Sequence, residues 1–159
     1  MFSIQRNGGN VTSSESEKQN VQFAEQQIAA LNARDIDRYL QGIDDSFVGE
    51  AELPPSPIHG REEVRQALGI ALTAFSDLRL EVEQILASGD FVVARLRFTG
   101  THTGNFRGIA PTNKTVSWRS CNVVEIRNGK AIRSRVYSDN ASLLQQLGVL
   151  SLPKATVAG

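Results

Sequence analysis

The stretch TVSWRSCNVVEIRNGKAIRSRVYSD, residues 115–139, carries the strongest structural signal of the chain. Two runs rich in β-branched and aromatic residues, 115–126 and 131–139, are separated by a turn that contains Asn128 and Gly129. The Asn-Gly pair is the dipeptide that most strongly predicts a tight β-hairpin turn. The stretch therefore predicts two long antiparallel strands and a sheet as the scaffold of the fold.

The strand pattern continues upstream of this hairpin. In DLRLEVEQIL, residues 77–86, apolar residues alternate with charged ones, which is the period of a half-buried strand. A Ser-Gly-Asp turn then leads into FVVARLRFTGTH, residues 91–102. Together with the hairpin, these segments predict a long antiparallel sheet.

The first half of the chain has helical spacing instead. Apolar residues recur every three to four positions between residues 21 and 31, and the pattern resumes in RDIDRYLQGI, residues 34–43, after a break near Asn32. DSFVGEAEL, residues 45–53, predicts a short strand, and a proline-rich loop then leads into a third helix across residues 64–75. About three helices followed by long hairpin-linked strands predict an α+β domain in which the helices cover one face of a curved sheet.

Both ends of the chain lack these patterns. Residues 1–18 are rich in Gly, Asn, Ser and Glu, a composition that predicts a disordered leader before a domain at 19–150 and a tail at 151–159. No apolar run is long enough to span a bilayer or to form the core of a signal peptide, so the cytoplasm is the expected location.

Charge and cysteine content exclude several classes of function. The 17 lysine and arginine residues balance 17 aspartate and glutamate residues, so the chain has no overall field that would attract nucleic acid or an anionic membrane. Cys121 is the only cysteine, and its neighbours have no metal-ligand spacing, so we expect a small buried residue rather than a disulfide or zinc ligand.

Asp139 admits two interpretations from its position between a strand and the apolar segment NASLLQQL. An aspartate before such a segment is a good helix N-cap, because its carboxylate accepts a backbone N–H and faces the positive end of the helix dipole. Strand alternation also places Arg135, Tyr137 and Asp139 on one face. If that face is concave, the three side chains share a pocket and Asp139 becomes a candidate general base.

Two longer stretches, GTHTGNFRGIAPTNKTVSWRSCNVVEIRNGK (100–130) and RVYSDNASLLQQLGVL (135–150), resemble the SnoaL-like polyketide cyclase (ester cyclase-like) family, and the resemblance extends over about residues 20–150. It implies the cone-shaped α+β fold shared with nuclear transport factor two and ketosteroid isomerase, in which helices and a bent sheet enclose an apolar pocket. It also implies an intramolecular aldol ring closure that uses neither metal nor coenzyme. The carboxylate that serves as acid and base in this reaction corresponds to Asp139.

The chain departs from the family at two places. Many relatives carry a Trp-Asp pair a few residues before the last aspartate, where this chain has Arg135 and Val136. Relatives often carry an aspartate in the middle of the preceding strand, where this chain has Asn122.

The remaining candidates for substrate binding are groups that can donate hydrogen bonds or shape a pocket. Tyr137, Asn122 and His59 are the candidate donors to an oxyanion, and Arg135 shares their predicted site. Trp118 lies on the same strand face as Asn122 and lines either the pocket or the dry core. His59 precedes a helix and belongs either to the pocket or to a surface loop.

His102, near a strand end, is either a pocket residue or a histidine with a structural role.

The sequence thus leaves two hypotheses for the protein. The first is a cofactor-free cyclase or isomerase that acts on an apolar carbonyl compound through Asp139. The second is a non-catalytic module that binds a hydrophobic small molecule or dimerises. A homodimer is expected in either case, because the helices cover only one face of the sheet and leave the face with Cys121 and Val123 to be shielded.

Overall fold

A computed structural model of the chain describes residues 14–53 and 56–151. Along the described chain the elements are α1 (Glu15–Asn32), α2 (Ile36–Gln41), β1 (Ile43–Ala51), β2 (Ile58–His59), α3 (Gly60–Ala74), β3 (Arg79–Ser88), β4 (Phe91–Thr101), β5 (Thr115–Arg127), β6 (Lys130–Ser138) and α4 (Asn140–Leu147). None of the helices in these two ranges is long and apolar enough to cross a membrane.

The six strands form one curved sheet in the order β2-β1-β6-β5-β4-β3. The helices pack against one side of it, so the predicted α+β architecture is confirmed. Strands β3 to β6 form an antiparallel meander, and β2 pairs antiparallel with β1. The pairing of β1 with β6 is parallel, which the sequence pattern did not predict, because a strand far along the chain supplies the partner.

The β5–β6 hairpin has the turn that its sequence predicts. Asn128 and Gly129 have φ angles of 51° and 72°, so both central residues occupy the left-handed region that a type I′ turn requires. Arg127 pairs with Lys130 across the turn. This turn sets the register of β5 against β6 at the centre of the sheet.

The sheet has two chemically different faces, which we call inner and outer. The inner face is turned toward the helices and carries the buried residues of β4, such as Val92, Ala94 and Leu96. The outer face carries Cys121, Val123 and Tyr137 on β5 and β6, and no helix of the described chain covers it. The apolar core therefore lies on one side of the sheet only.

Helix α1 begins at Glu15, within the segment that composition predicted to be a disordered leader. Ser14 and Glu17 form a capping box, in which the Ser14 hydroxyl accepts the Glu17 N–H and the Glu17 carboxylate accepts the Ser14 N–H at 2.8 Å. Glu17 also accepts the N–H of Gly89 at 3.0 Å, which ties the start of α1 to the β3–β4 turn. Residues 1–13 of the predicted leader and 152–159 of the predicted tail lie outside the described residues.

Candidate ligand-binding site

A central cavity of about 240 Å³ lies between the helices and the inner face of the sheet. Helix α1 contributes Phe23, Ile28 and Leu31 to its wall, and the sheet contributes apolar side chains such as Leu96 and Phe98. Four polar side chains interrupt this apolar wall: Gln27, Tyr39, Asn122 and Ser134. An apolar cavity with a few polar groups is the usual form of a small-molecule site.

Asn122 is the sequence-predicted candidate that lines this cavity. It lies on β5 between Ala94 of β4 and Val136 of β6, in the middle of the inner face. The buried Ser120 donates a hydrogen bond from its hydroxyl to Asn122 Oδ1 at 2.8 Å. This bond orients the amide, and it leaves the Nδ2 group available as a donor toward the cavity.

Tyr39 of α2 supplies a second potential donor. Burial raises the pKa of the Tyr39 phenol, because the charged phenolate is poorly solvated in this position. The phenol consequently stays protonated at neutral pH and can donate to a carbonyl oxygen. Tyr39 has no functional signal in the sequence, because its place in the apolar stripe of a short helix looks like an ordinary core position.

A groove on the surface adjoins the cavity. It has a volume of about 390 Å³ and lies between α3 and β1, and we call it the α3 groove. Ala51, Ile58, Ala67, Ile70 and Arg107 belong to its walls. Ser134 and Val136 line both the groove and the central cavity, so the two spaces meet at β6.

Asp139 caps helix α4. Its Oδ1 accepts the N–H of Ser142 at 3.0 Å, and its own N–H donates to the carbonyl oxygen of Arg119. The residue is exposed, and it is not among the described residues that line the cavity. The geometry thus contains the capping interaction, and the acid–base role stays a prediction.

Arg135 and Tyr137 share a face with Asp139, as strand alternation predicts, but this is the outer face. The Arg135 guanidinium contacts Glu50 at 3.0 Å and lies 5.5 Å from the centre of the Tyr137 ring. The hydrogen bond and charge of Glu50 raise the pKa of Arg135. Ser134 and Val136, the neighbours of Arg135 along β6, face the cavity instead, because the helices pack against the inner face of the sheet.

Trp118 and His102 belong to an aromatic cluster beside the cavity. Trp118 stacks on Phe98 with ring centres 5.2 Å apart, and Phe98 lines the cavity. His102 is fully buried, its ring centre lies 5.3 Å from that of Phe75, and burial lowers its pKa. The N–H of Thr112 donates to His102 Nδ1 at 3.2 Å, so this histidine fixes the loop between β4 and β5.

His59 is exposed at the start of α3. Its backbone N–H donates to Glu63 Oε2 at 2.6 Å, and its side chain makes no capping hydrogen bond to the helix. Of the predicted site residues, the structure therefore brings Asn122 to the cavity and Trp118 next to it. His102 lies in the same aromatic cluster as Trp118, whereas His59, Arg135, Tyr137 and Asp139 lie away from the cavity. In the described ranges, no three His, Cys, Asp or Glu side chains group in a way that could hold a metal ion.

Comparison with known proteins places this geometry in a family. The sequence profile of the SnoaL-like polyketide cyclases matches residues 21–147. The chain is similar to the nogalonic acid methyl ester cyclase of Streptomyces nogalater, with 30% identity over 122 residues, 76% of this chain and 91% of the relative.

Two solved structures show the same arrangement of elements. AclR of Streptomyces galilaeus, described as a candidate hydroxylase, is 28% identical with a TM-score of 0.76, over 86% of this chain and 89% of its own. IdmH of Streptomyces antibioticus, described as a candidate polyketide cyclase, is 27% identical with a TM-score of 0.70, over 80% of this chain and 97% of its own.

Proposed function

Because the chain belongs to the SnoaL-like polyketide cyclase family, we propose that it is a cyclase-like protein that binds an apolar carbonyl compound in the central cavity and promotes proton transfer next to the carbonyl group. One observation supports this most directly. The apolar wall of the cavity carries the Asn122 amide and the Tyr39 phenol, two groups that can donate to a carbonyl oxygen.

These donors suit the chemistry of enolisation. Removal of a proton from the carbon beside a carbonyl group moves negative charge onto the carbonyl oxygen. Hydrogen bonds from Asn122 and Tyr39 would stabilise that charge, and fixed donors in an apolar site stabilise it more than water does. In an aldol ring closure, the enolate carbon then forms a bond to a second carbonyl carbon, and the resulting alkoxide takes up a proton.

Asp139 is the acid and base that we propose for these proton transfers. Its carboxylate caps α4 at the end of β6 and does not line the cavity, so a catalytic role requires this carboxylate to leave the cap and turn toward the carbonyl compound that Asn122 and Tyr39 hold. The carboxylate would take the proton from carbon and return it to the alkoxide. The capping role requires no substrate at all. Asparagine at position 139 could still cap α4, but it could not take up or return a proton.

Exchange of the protons of 1-tetralone in deuterated water, followed by NMR, tests the proposal. This apolar ketone has exchangeable protons beside its carbonyl group. We expect the protein to accelerate their exchange, Asn122→Leu to reduce the acceleration, and Asp139→Asn to abolish it. Asp35→Asn is the matched control, because Asp35 caps α2 in the same way. Full exchange activity in Asp139→Asn would remove Asp139 from the mechanism.

Binding without catalysis is the second candidate function. Val136 lines the cavity at the place where many relatives have the aspartate of a Trp-Asp pair, and none of the described lining residues is an Asp, Glu or His. A cavity lining without a carboxylate or an imidazole favours retention of a ligand over its conversion. Saturable binding of 1-tetralone with no acceleration of exchange would support this function.

We propose in addition that two copies associate through the outer face of the sheet. This face leaves large apolar side chains in water, among them Leu86, Phe91 and Tyr137, which are about half exposed. Large apolar side chains that stay exposed on a sheet face without a covering helix favour an interaction site there.

A further inference from the structure

We propose that the α3 groove is the second half of the ligand site and that Arg107 receives an anionic group of the ligand. The preferred ligand is then an apolar ring compound that carries a carboxylate or a similar organic anion. This inference rests on the proposed function of the central cavity, because it concerns the part of the ligand that extends out of that cavity.

The two spaces share part of their lining. Ser134 and Val136 lie on the inner face of β6 and border the cavity of about 240 Å³ on one side and the groove of about 390 Å³ on the other. A rigid ring system that fills the cavity can therefore continue past Ser134 into the groove. The groove also has an apolar wall, to which Leu53 and Ile70 contribute side chains that are 41% and 49% exposed.

The charged side chains of the groove differ in whether they already have a hydrogen-bond or ion-pair partner. Glu50 is paired with Arg135 at 3.0 Å, and Glu63 accepts the His59 N–H at 2.6 Å. Arg107 is the one cation among the described lining residues, and it makes no ion pair or hydrogen bond to the described part of the chain. Because Glu63 disfavours an anion at the start of α3, the anionic group belongs at the Arg107 end of the groove.

Arg107 is held in place by its turn. Phe106 and Ile109 exchange two backbone hydrogen bonds of 3.0 and 2.9 Å around it, and Asn105 Oδ1 accepts the Gly108 N–H at 3.0 Å. The guanidinium lies 5.6 Å from the centre of the Phe106 ring. Phe106 in turn packs edge-on against the buried Phe75, with ring centres 5.3 Å apart. The loop thus presents the cation from a fixed position.

The Arg107 side chain is exposed, so an anionic group of a ligand can reach its guanidinium. The guanidinium is charged at neutral pH, and its hydrogen bonds to an anion are charge-assisted. An anionic group at this position would therefore add affinity as well as orientation.

Two fluorescent probes separate the groove from the cavity. 1-Anilinonaphthalene-8-sulfonate carries a sulfonate on an apolar ring system, and N-phenyl-1-naphthylamine has the same rings without the anion. We expect Arg107→Gln to raise the Kd of the sulfonate by about tenfold or more, the usual effect of losing a charge-assisted hydrogen bond, and to change the Kd of the neutral probe by less than about twofold. Arg79→Gln, an exposed arginine on the edge strand β3, is the matched control and should change neither.

Each outcome decides between the two proposals. Ala94→Leu, which fills the cavity, should weaken both probes, whereas Ala141→Leu on the exposed side of α4 should weaken neither. If Arg107→Gln leaves the sulfonate affinity unchanged, or weakens both probes equally, the anion site is wrong and the cavity function stands. If neither probe binds the wild-type protein, both proposals fail together.

Discussion

Asp139 contributes to stability through the cap of α4, whatever else it does. Its carboxylate accepts the Ser142 N–H, and asparagine can accept the same bond whereas alanine cannot. We expect Asp139→Ala to lower the free energy of unfolding by about 0.5–2 kcal/mol and Asp139→Asn to change it by a few tenths at most. Urea unfolding of both variants measures this. An unchanged stability in Asp139→Ala would mean that the cap bond contributes little.

His102 makes the stability of the fold depend on pH near neutrality. Burial lowers its pKa in the folded state, so the unfolded chain takes up a proton first as the pH falls below the ordinary histidine value of about 6.5. The free energy of unfolding should therefore decrease as the pH falls from about 7 toward 5.

Replacement of His102 by glutamine should flatten this part of the profile, although the variant is less stable at every pH. His59→Gln is the control, because His59 is exposed and its replacement should leave the profile unchanged. A wild-type profile that is flat between about pH 5 and 7 would contradict the assignment to His102.

Individual side chains show how far sequence alone can locate a ligand site. Alternation along β6 correctly groups Arg135 with Tyr137 and separates them from Ser134 and Val136. It does not tell which group faces the cavity, because that depends on the side of the sheet on which the helices pack. Asn122 was predicted because its amide can donate to an oxyanion and because alternation places it on one strand face with Trp118.

At the scale of elements, the turn of the β5–β6 hairpin depends on a glycine. Gly129 has a φ of 72°, a region in which a Cβ clashes with the following backbone. We expect Gly129→Ala to destabilise the protein by about 1–2 kcal/mol. Gly69 lies inside helix α3 with open space around its Cα, so Gly69→Ala should stabilise by about 0.5–1 kcal/mol. A lower Tm for Gly129→Ala and a higher Tm for Gly69→Ala in thermal unfolding would confirm both predictions. A stabilising Gly129→Ala would contradict the first.

Elements with a local signal were predicted well, and those that depend on distant partners were not. Alternation located β3 to β6, and apolar spacing located α3. The capping box Ser14-x-x-Glu17 is a known start signal, yet composition alone assigned those residues to a leader. The parallel pairing of β1 with β6 has no local signal, since the residues that meet are more than 80 positions apart in sequence, as Glu50 and Arg135 illustrate.

At the scale of the whole molecule, the outer face should hold two copies together. Val123 lies near the centre of this face, between Val93 and Arg135 on the neighbouring strands. We expect light scattering to give a dimer for the wild-type protein and a monomer for Val123→Glu, because a carboxylate in the contact would have to lose its hydration. Val149→Glu, at an exposed site after α4, should remain a dimer. A wild-type monomer at micromolar concentration would contradict the proposal.

The parallel pairing of β1 with β6 also determines how early the sheet can finish folding while the chain is synthesised. Residues 43–51 leave the ribosome long before residues 130–138, and until then β2 is the one partner of β1 in the described sheet that has emerged. The cluster that buries Ile43 and Phe47 in the finished fold lacks Ala131 of β6 throughout that interval, so these apolar side chains stay incompletely covered. Completion of the binding cavity is consequently a late folding event, because its walls join only after β6 has emerged.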